Sequence, residues 1–96
     1  MSCLHTISRS PRQGLLHDCL KLINPGDGIL FIEDGVYHCC DDEALAMISR
    51  DNNLYGLRED LVARGLLEKQ DTRIDVIGYH KFVELTLQYK KTISWF

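Results

Sequence analysis

The chain has 96 residues, a length typical of one small domain. Hydrophobic residues make up 45% of it and charged residues 26%, which is the balance of a globular protein rather than of a disordered one. The formal net charge of −3 and the scattered Lys and Arg residues argue against nucleic-acid binding as the main task, because such binding relies on clustered basic residues. No apolar run approaches the roughly 20 residues of a membrane span, and the first residues lack the apolar core of a signal peptide. We therefore expect a cytoplasmic protein with reduced thiols.

Strand and helix patterns alternate along the chain. The predicted strands are short apolar segments, at residues 3–8, 28–34, 53–57, 73–79 and 92–96. The predicted helices have apolar residues at helical spacing, at residues 10–23, 42–49, 58–64 and 80–89. Ser10 as the N-cap and Pro11 at the first helical position would begin the first helix, and Gly65 would end the third. The pattern predicts an α/β fold, with helices on both faces of a mostly parallel sheet, in one domain spanning residues 1–96.

His38, Cys39 and Cys40 follow the second predicted strand directly. His and Cys together suit zinc, but adjacent cysteines form a poor chelate and the sequence contains no C-x₂-C pair. A disulfide between Cys39 and Cys40 would strain the peptide bond that joins them. We interpret the stretch as a loop or helix start without chemistry, and we expect Cys39 and Cys40 to be dispensable. No metal and no cofactor are predicted for this chain.

Ligands of an open parallel sheet bind beyond the carboxyl ends of its strands. That edge should hold residues 8–12, 34–40 and 57–60 together with His80, while Cys3 and His5 should lie towards the opposite end of the first strand. Residues 8–12 (SRSPR) could hold an anion, although helix capping is the simpler interpretation.

Two acidic groups follow predicted strands at the same edge. Glu33 and Asp34 come at the end of the second strand, and Asp60 comes in the turn after the third. They could bind a cation or act as an acid–base pair, or they could simply end the strands and cap the turns.

Cys19 lies on the apolar stripe of the first predicted helix. One interpretation is a small buried hydrophobic residue, which free cysteine often is. The other is a thiol that accepts sulfur, for which the residue would have to be partly exposed and ionised.

The sequence resembles the DsrH/TusB family of sulfur-relay proteins. The likeness is in four segments that come in the family's order and at its spacing: LHTISRSP (4–11), GDGILFIEDGVY (26–37), LYGLREDLVARGL (54–66) and IGYHKFVELTLQYKKTISWF (77–96). The resemblance implies a DsrE-like three-layer α/β/α fold with a mainly parallel five-stranded sheet. It further implies assembly with TusC-like and TusD-like homologous subunits as a dimer of heterotrimers.

Within that family, the TusBCD complex takes persulfide sulfur from TusA and passes it through TusE to MnmA, for 2-thiolation of wobble uridine in tRNA. A DsrEFH complex performs a related transfer in dissimilatory sulfur oxidation. The main sulfur-accepting cysteine of both complexes lies on the TusD or DsrE subunit. Some family members have a cysteine at the position of Cys19, whereas nothing reactive is implied at Cys39 and Cys40.

The resemblance therefore predicts a TusB-like subunit with a mainly structural role, which binds neither nucleic acid nor membranes directly. Two alternatives remain open at this point: a DsrH subunit of a DsrEFH complex, and a subunit that carries persulfide on Cys19. We also expect Ile93, Trp95 and Phe96 to pack against the sheet or a partner, because an exposed Trp-Phe end would forgo its burial energy.

Overall fold

The computed structural model describes residues 2–11 and 14–95. Its five strands are β1 (Cys3–Ile7), β2 (Gly28–Phe31), β3 (Asn53–Leu57), β4 (Asp75–Ile77) and β5 (Lys91–Trp95). Its four α-helices are α1 (Leu15–Leu20), α2 (Asp42–Ala46), α3 (Arg58–Ala63) and α4 (Tyr79–Gln88). A 3₁₀ helix (Glu33–Cys40) lies between β2 and α2.

The strands form one sheet in the order β4-β3-β2-β1-β5. All four pairs of neighbouring strands are parallel. The first four strands are added in sequence towards one edge, and α4 then carries the chain across to the other edge, where β5 pairs with β1. The predicted α/β class with a mainly parallel five-stranded sheet is confirmed.

Side chains alternate between the two faces of the sheet, as the period of a strand requires. Ile29 and Phe31 point to the first face, where they pack with α1, the 3₁₀ helix, α2 and α3. Leu30 points to the second face, where Leu85 of α4 packs against it. The strands are buried on both faces because helices cover both, which explains the continuous apolar run of β2.

The prediction for the start of α1 is wrong. The helix begins at Leu15, with Gly14 at its N-cap, rather than at Ser10 and Pro11. Gly14 has φ of 69°, a left-handed conformation that glycine adopts without steric cost, so the chain turns there directly before α1. Arg12 lies outside the described residues.

The second strand is shorter than predicted, because the chain leaves the sheet after Phe31 and enters the 3₁₀ helix. Gly35 permits this change of direction, since a Cβ at that position would overlap the carbonyl oxygen of Ile7. The close approach holds the 3₁₀ helix against the carboxyl end of β1.

Candidate functional site

The carboxyl edge of the sheet brings together three segments that the sequence placed there. The backbone N–H of Glu33 donates to Asp60 Oδ2 at 2.6 Å, which joins the 3₁₀ helix to α3. His38 Nε2 donates to the carbonyl oxygen of Arg9 at 3.2 Å, which joins the same helix to the segment after β1. The predicted meeting of these segments at one edge is confirmed for the described residues.

Two carboxylates of this edge, those of Asp34 and Asp60, are engaged with a guanidinium. Arg64 Nε lies 3.0 Å from Asp34 Oδ1, and Arg64 Nη1 lies 3.8 Å from Asp60 Oδ1. Within the described ranges, no group of three or more His, Cys, Asp or Glu side chains could hold a metal ion. Asp34 and Asp60 therefore connect elements of the fold, rather than forming a cation site or an acid–base pair.

Among the described residues of the segment after β1, none begins α1, so the predicted helix N-terminus does not lie at Ser10 and Pro11. Ser10 and Pro11 precede α1 instead of beginning it, and Ser8 Oγ donates to the carbonyl oxygen of Trp95 at 3.3 Å. His80, which was placed at the same edge, is almost fully exposed on α4 and pairs with Glu84 at 3.3 Å.

His38 is a core histidine. Its side chain is 2% exposed, and its ring lies 5.3 Å from that of Phe31 between centroids. Burial lowers the pKa of His38 and outweighs its bond to the Arg9 carbonyl, so the imidazole is neutral at physiological pH. Within the described part of the chain Nδ1 has no hydrogen-bond partner.

Cys39 and Cys40, interpreted from the sequence as part of a loop or a helix start, are helical. Both belong to the 3₁₀ helix, and the side chain of Cys39 is fully buried in the core of the first face. Its carbonyl oxygen accepts a hydrogen bond from the backbone N–H of Asp71 at 2.8 Å. The sequence signal was ambiguous because GVYHCC has neither strand nor α-helix periodicity.

The two thiols differ in burial, and both are held in the neutral form. Burial, followed by the neighbouring Cys40, raises the pKa of Cys39 to about 12. Burial also raises the pKa of Cys40, which is half-buried. Since the thiolate is the nucleophile and the metal ligand, neither residue is activated for sulfur chemistry in this conformation.

Cys19 lies on the inward side of α1, with a fully buried side chain. Burial, with a smaller contribution from the charge of Asp27, raises its pKa to about 12. The apolar stripe correctly predicted its position. A thiol in this environment packs as a small hydrophobic residue, and sulfur transfer to it would require exposure and ionisation.

A buried polar array at the other end of the sheet was not predicted. Asp27, at the start of β2, accepts hydrogen bonds from the backbone N–H groups of Cys3 and Asn24 at 2.9 and 3.1 Å, and from His5 Nε2 at 3.0 Å. Burial alone would raise the pKa of Asp27, but these hydrogen bonds together outweigh it and lower the pKa. The sequence contains two signals of this array. His5 lies inside an apolar strand, and Asp27 lies directly before the next strand.

No helix in the described ranges is both long enough and apolar enough to cross a membrane.

The described residues thus define a small α/β domain with a parallel sheet, whose buried thiols are neutral. A family model described as "DsrH like protein" matches residues 9–92. "Protein TusB" of Erwinia tasmaniensis is 38% identical over 94 residues, which cover 96% of this chain and 99% of that protein. "Protein TusB" of Photorhabdus laumondii and of Serratia proteamaculans are 39% and 40% identical over the same shares of both chains. The chain belongs to the DsrH/TusB family, and the predicted resemblance is confirmed.

Proposed function

We propose that this chain is the TusB-like subunit of a TusBCD-type sulfur relay, which supports 2-thiolation of wobble uridine in tRNA in the cytoplasm. Its task is assembly rather than sulfur chemistry, and it acts as one DsrH-type domain over residues 1–96. The observation that carries this proposal is the similarity, over nearly the full length of both chains, to proteins named TusB.

The environment of the thiols supports a non-catalytic role. Cys19 and Cys39 are fully buried, and both have a pKa of about 12. A thiol of that pKa is about 10⁻⁵ ionised at pH 7, so it is a poor nucleophile towards a persulfide. As the family resemblance implies, the sulfur-accepting cysteine of the proposed complex lies on the TusD-like partner, and TusA, TusE and MnmA act through the complex.

An exposed apolar stripe on α4 supports the proposed partner role. Tyr79, Val83 and Leu87 lie at i, i+4 and i+8 and expose 55%, 59% and 81% of their surface. The opposite side of the helix packs on the sheet through Leu85. Contact with a homologous TusC-like or TusD-like subunit would remove the stripe from water, which is a favourable term in association.

A persulfide carrier that uses Cys19 is the competing function, and burial of the thiol opposes it. A DsrH subunit of a DsrEFH complex has the same fold and the same kind of partners. The relatives named TusB favour tRNA thiolation over sulfur oxidation.

Co-expression with TusC-like and TusD-like chains tests the assembly. We expect a stoichiometric complex in size-exclusion chromatography and in native mass measurement. Val83→Glu should weaken it, because a carboxylate in an apolar interface must be desolvated. Val62→Glu on α3 is the matched control, since Val62 is 55% exposed and lies on the other side of the sheet. A wild-type chain that remains a monomer in the presence of both partners would refute the proposal, and equal effects of the two substitutions would refute the assignment of the interface to α4.

A further inference from the structure

The array around His5 continues to the last strand. Trp95 Nε1 donates to His5 Nδ1 at 3.2 Å, while His5 Nε2 lies 3.0 Å from Asp27 Oδ2. His5 and Asp27 are each 1% exposed. One imidazole thus links β1, the residue before β2, and β5, the strand at the edge of the sheet.

The donors of this array fix the protonation state of His5. An indole N–H can only donate, so His5 Nδ1 must carry its lone pair. His5 Nε2 therefore carries the proton and donates it to the carboxylate of Asp27. The neutral Nε2–H tautomer is the form that satisfies both neighbours.

A second proton on His5 would act on its two neighbours in opposite ways. The imidazolium would pair with the carboxylate of Asp27, which favours protonation. At Nδ1, however, the new N–H would face the N–H of Trp95, and two donors cannot bond to each other. Trp95 would have to move for the protonated form to be accommodated.

The contacts of β5 explain why such a movement would matter. Four of its five residues are exposed, and only Trp95 packs against the core. Apart from the backbone ladder to β1, the strand is held by Ser94 Oγ, at 3.2 Å from Thr6 Oγ1, and by the Trp95 carbonyl, which accepts from Ser8 Oγ. Trp95 is therefore the main side-chain anchor of this edge.

We propose that His5 and Trp95 form an acid-sensitive latch: protonation of His5 at Nδ1 breaks the bond to Trp95 and loosens β5 from the sheet, so that β1 becomes the edge. Asp27, from the start of β2, is the charged group that faces His5. The thiol of Cys19 on α1 lies nearby, since its pKa responds to the charge of Asp27, and Cys3 of β1 donates its backbone N–H to the same carboxylate. Trp95 contributes no charge from β5.

The full chain is suited to the test because Trp95 is its single tryptophan. Nitrogen NMR of the histidine rings reports the tautomer and protonation of His5, while tryptophan fluorescence and amide exchange report β5. When acidification protonates His5, we expect a red-shifted emission and, after correction for intrinsic rates, about tenfold faster exchange of the β5 amides. Both changes should follow the protonation of His5.

Trp95→Phe separates a latch from a purely structural contact. Without the indole, no N–H faces Nδ1 of His5, so protonation of His5 should no longer speed up exchange of the β5 amides. The proposal is overturned if His5 becomes protonated without a change at Trp95 and β5, if it stays singly protonated until the whole chain unfolds, or if exchange of the β5 amides still follows its protonation in Trp95→Phe. If Trp95→Phe does not fold, the wild-type chain alone tests the proposal. Protonation of His5, the shift in tryptophan emission and the faster exchange of the β5 amides must then occur together.

Discussion

Replacing Arg73 by alanine would remove a guanidinium that holds the segment between α2 and β3. Its Nη1 donates to the carbonyl oxygens of Leu45 and Ile48 at 3.1 and 2.8 Å. Its Nη2 donates to the carbonyl oxygens of Ser49 and Asn52, the latter at 3.1 Å. These carbonyls include the free end of α2, where a cation is also favoured by the helix dipole.

The loss can be estimated from these contacts. A hydrogen bond to a charged group contributes about 1.5–3 kcal/mol, but neighbouring bonds are not additive and an exposed carbonyl can be hydrated instead. Losing the equivalent of two such bonds should lower the free energy of unfolding by about 3 kcal/mol. The whole free energy of unfolding of a domain is about 5–15 kcal/mol. At about 4–8 °C per kcal/mol, the melting temperature should fall by roughly 12–24 °C.

Urea denaturation of Arg73→Ala, Arg73→Lys and wild-type chains measures this loss. Lysine keeps the charge but cannot reach four carbonyls, so its cost should be intermediate. Arg50→Ala is the matched control. The charge of Arg50 lowers the pKa of Arg73 by repulsion and the pKa of Asp71 by attraction, so these effects on stability oppose each other and the substitution should be close to neutral. The reasoning fails if Arg73→Ala lies within about 0.5 kcal/mol of wild type, or if Arg50→Ala costs as much.

Three other predictions concern the core and the last strand. Cys39→Ser should cost about 1–3 kcal/mol in urea denaturation because it buries a hydroxyl group, whereas Cys40→Ser, at a half-buried position, should cost less than about 1 kcal/mol; equal costs would contradict the described packing. The raised pKa values of Cys19 and Cys39 disfavour their thiolates in the folded state. The free energy of unfolding should therefore decline as pH rises from about 8.5 towards 12, and less steeply in Cys39→Ala; identical slopes would exclude the coupling. Deleting residues 93–96 should lower the melting temperature by more than about 5 °C, since it removes Trp95, and an unchanged melting curve would rule out that anchor.

Local patterns predicted much of the fold. The apolar run that contains Ile29, Leu30 and Phe31 indicated a strand covered on both faces, and it is the central strand of the sheet. Leu45 and Ile48, three residues apart in the helix predicted at residues 42–49, are both buried. Such features depend on periodicity within a few residues, which a sequence shows directly.

The remaining features depend on contacts between distant residues. The 3₁₀ helix is possible because Gly35 meets the end of β1, and the sequence around Gly35 contains no sign of that contact. His5 and Asp27 are 22 residues apart, and Trp95 lies 90 residues beyond His5. The sheet brings these three side chains together, so their bonds could be inferred only once the strand order was known. The packing of Trp95 that was predicted for the C-terminus is observed, whereas Phe96 lies outside the described residues.

The most direct test of the proposed role is to locate the sulfur in the assembled complex. The complex with TusC-like and TusD-like partners is loaded with a persulfide donor, and the mass of each subunit is then measured. Chains with Cys19→Ser, and with Cys39→Ser and Cys40→Ser together, are measured in parallel. We expect the added sulfur on the TusD-like partner and little or none on this chain, because Cys19 and Cys39 are buried and their thiols are neutral. A sulfur adduct on this chain that disappears with Cys19→Ser, or with the Cys39→Ser and Cys40→Ser pair, would contradict the non-catalytic role.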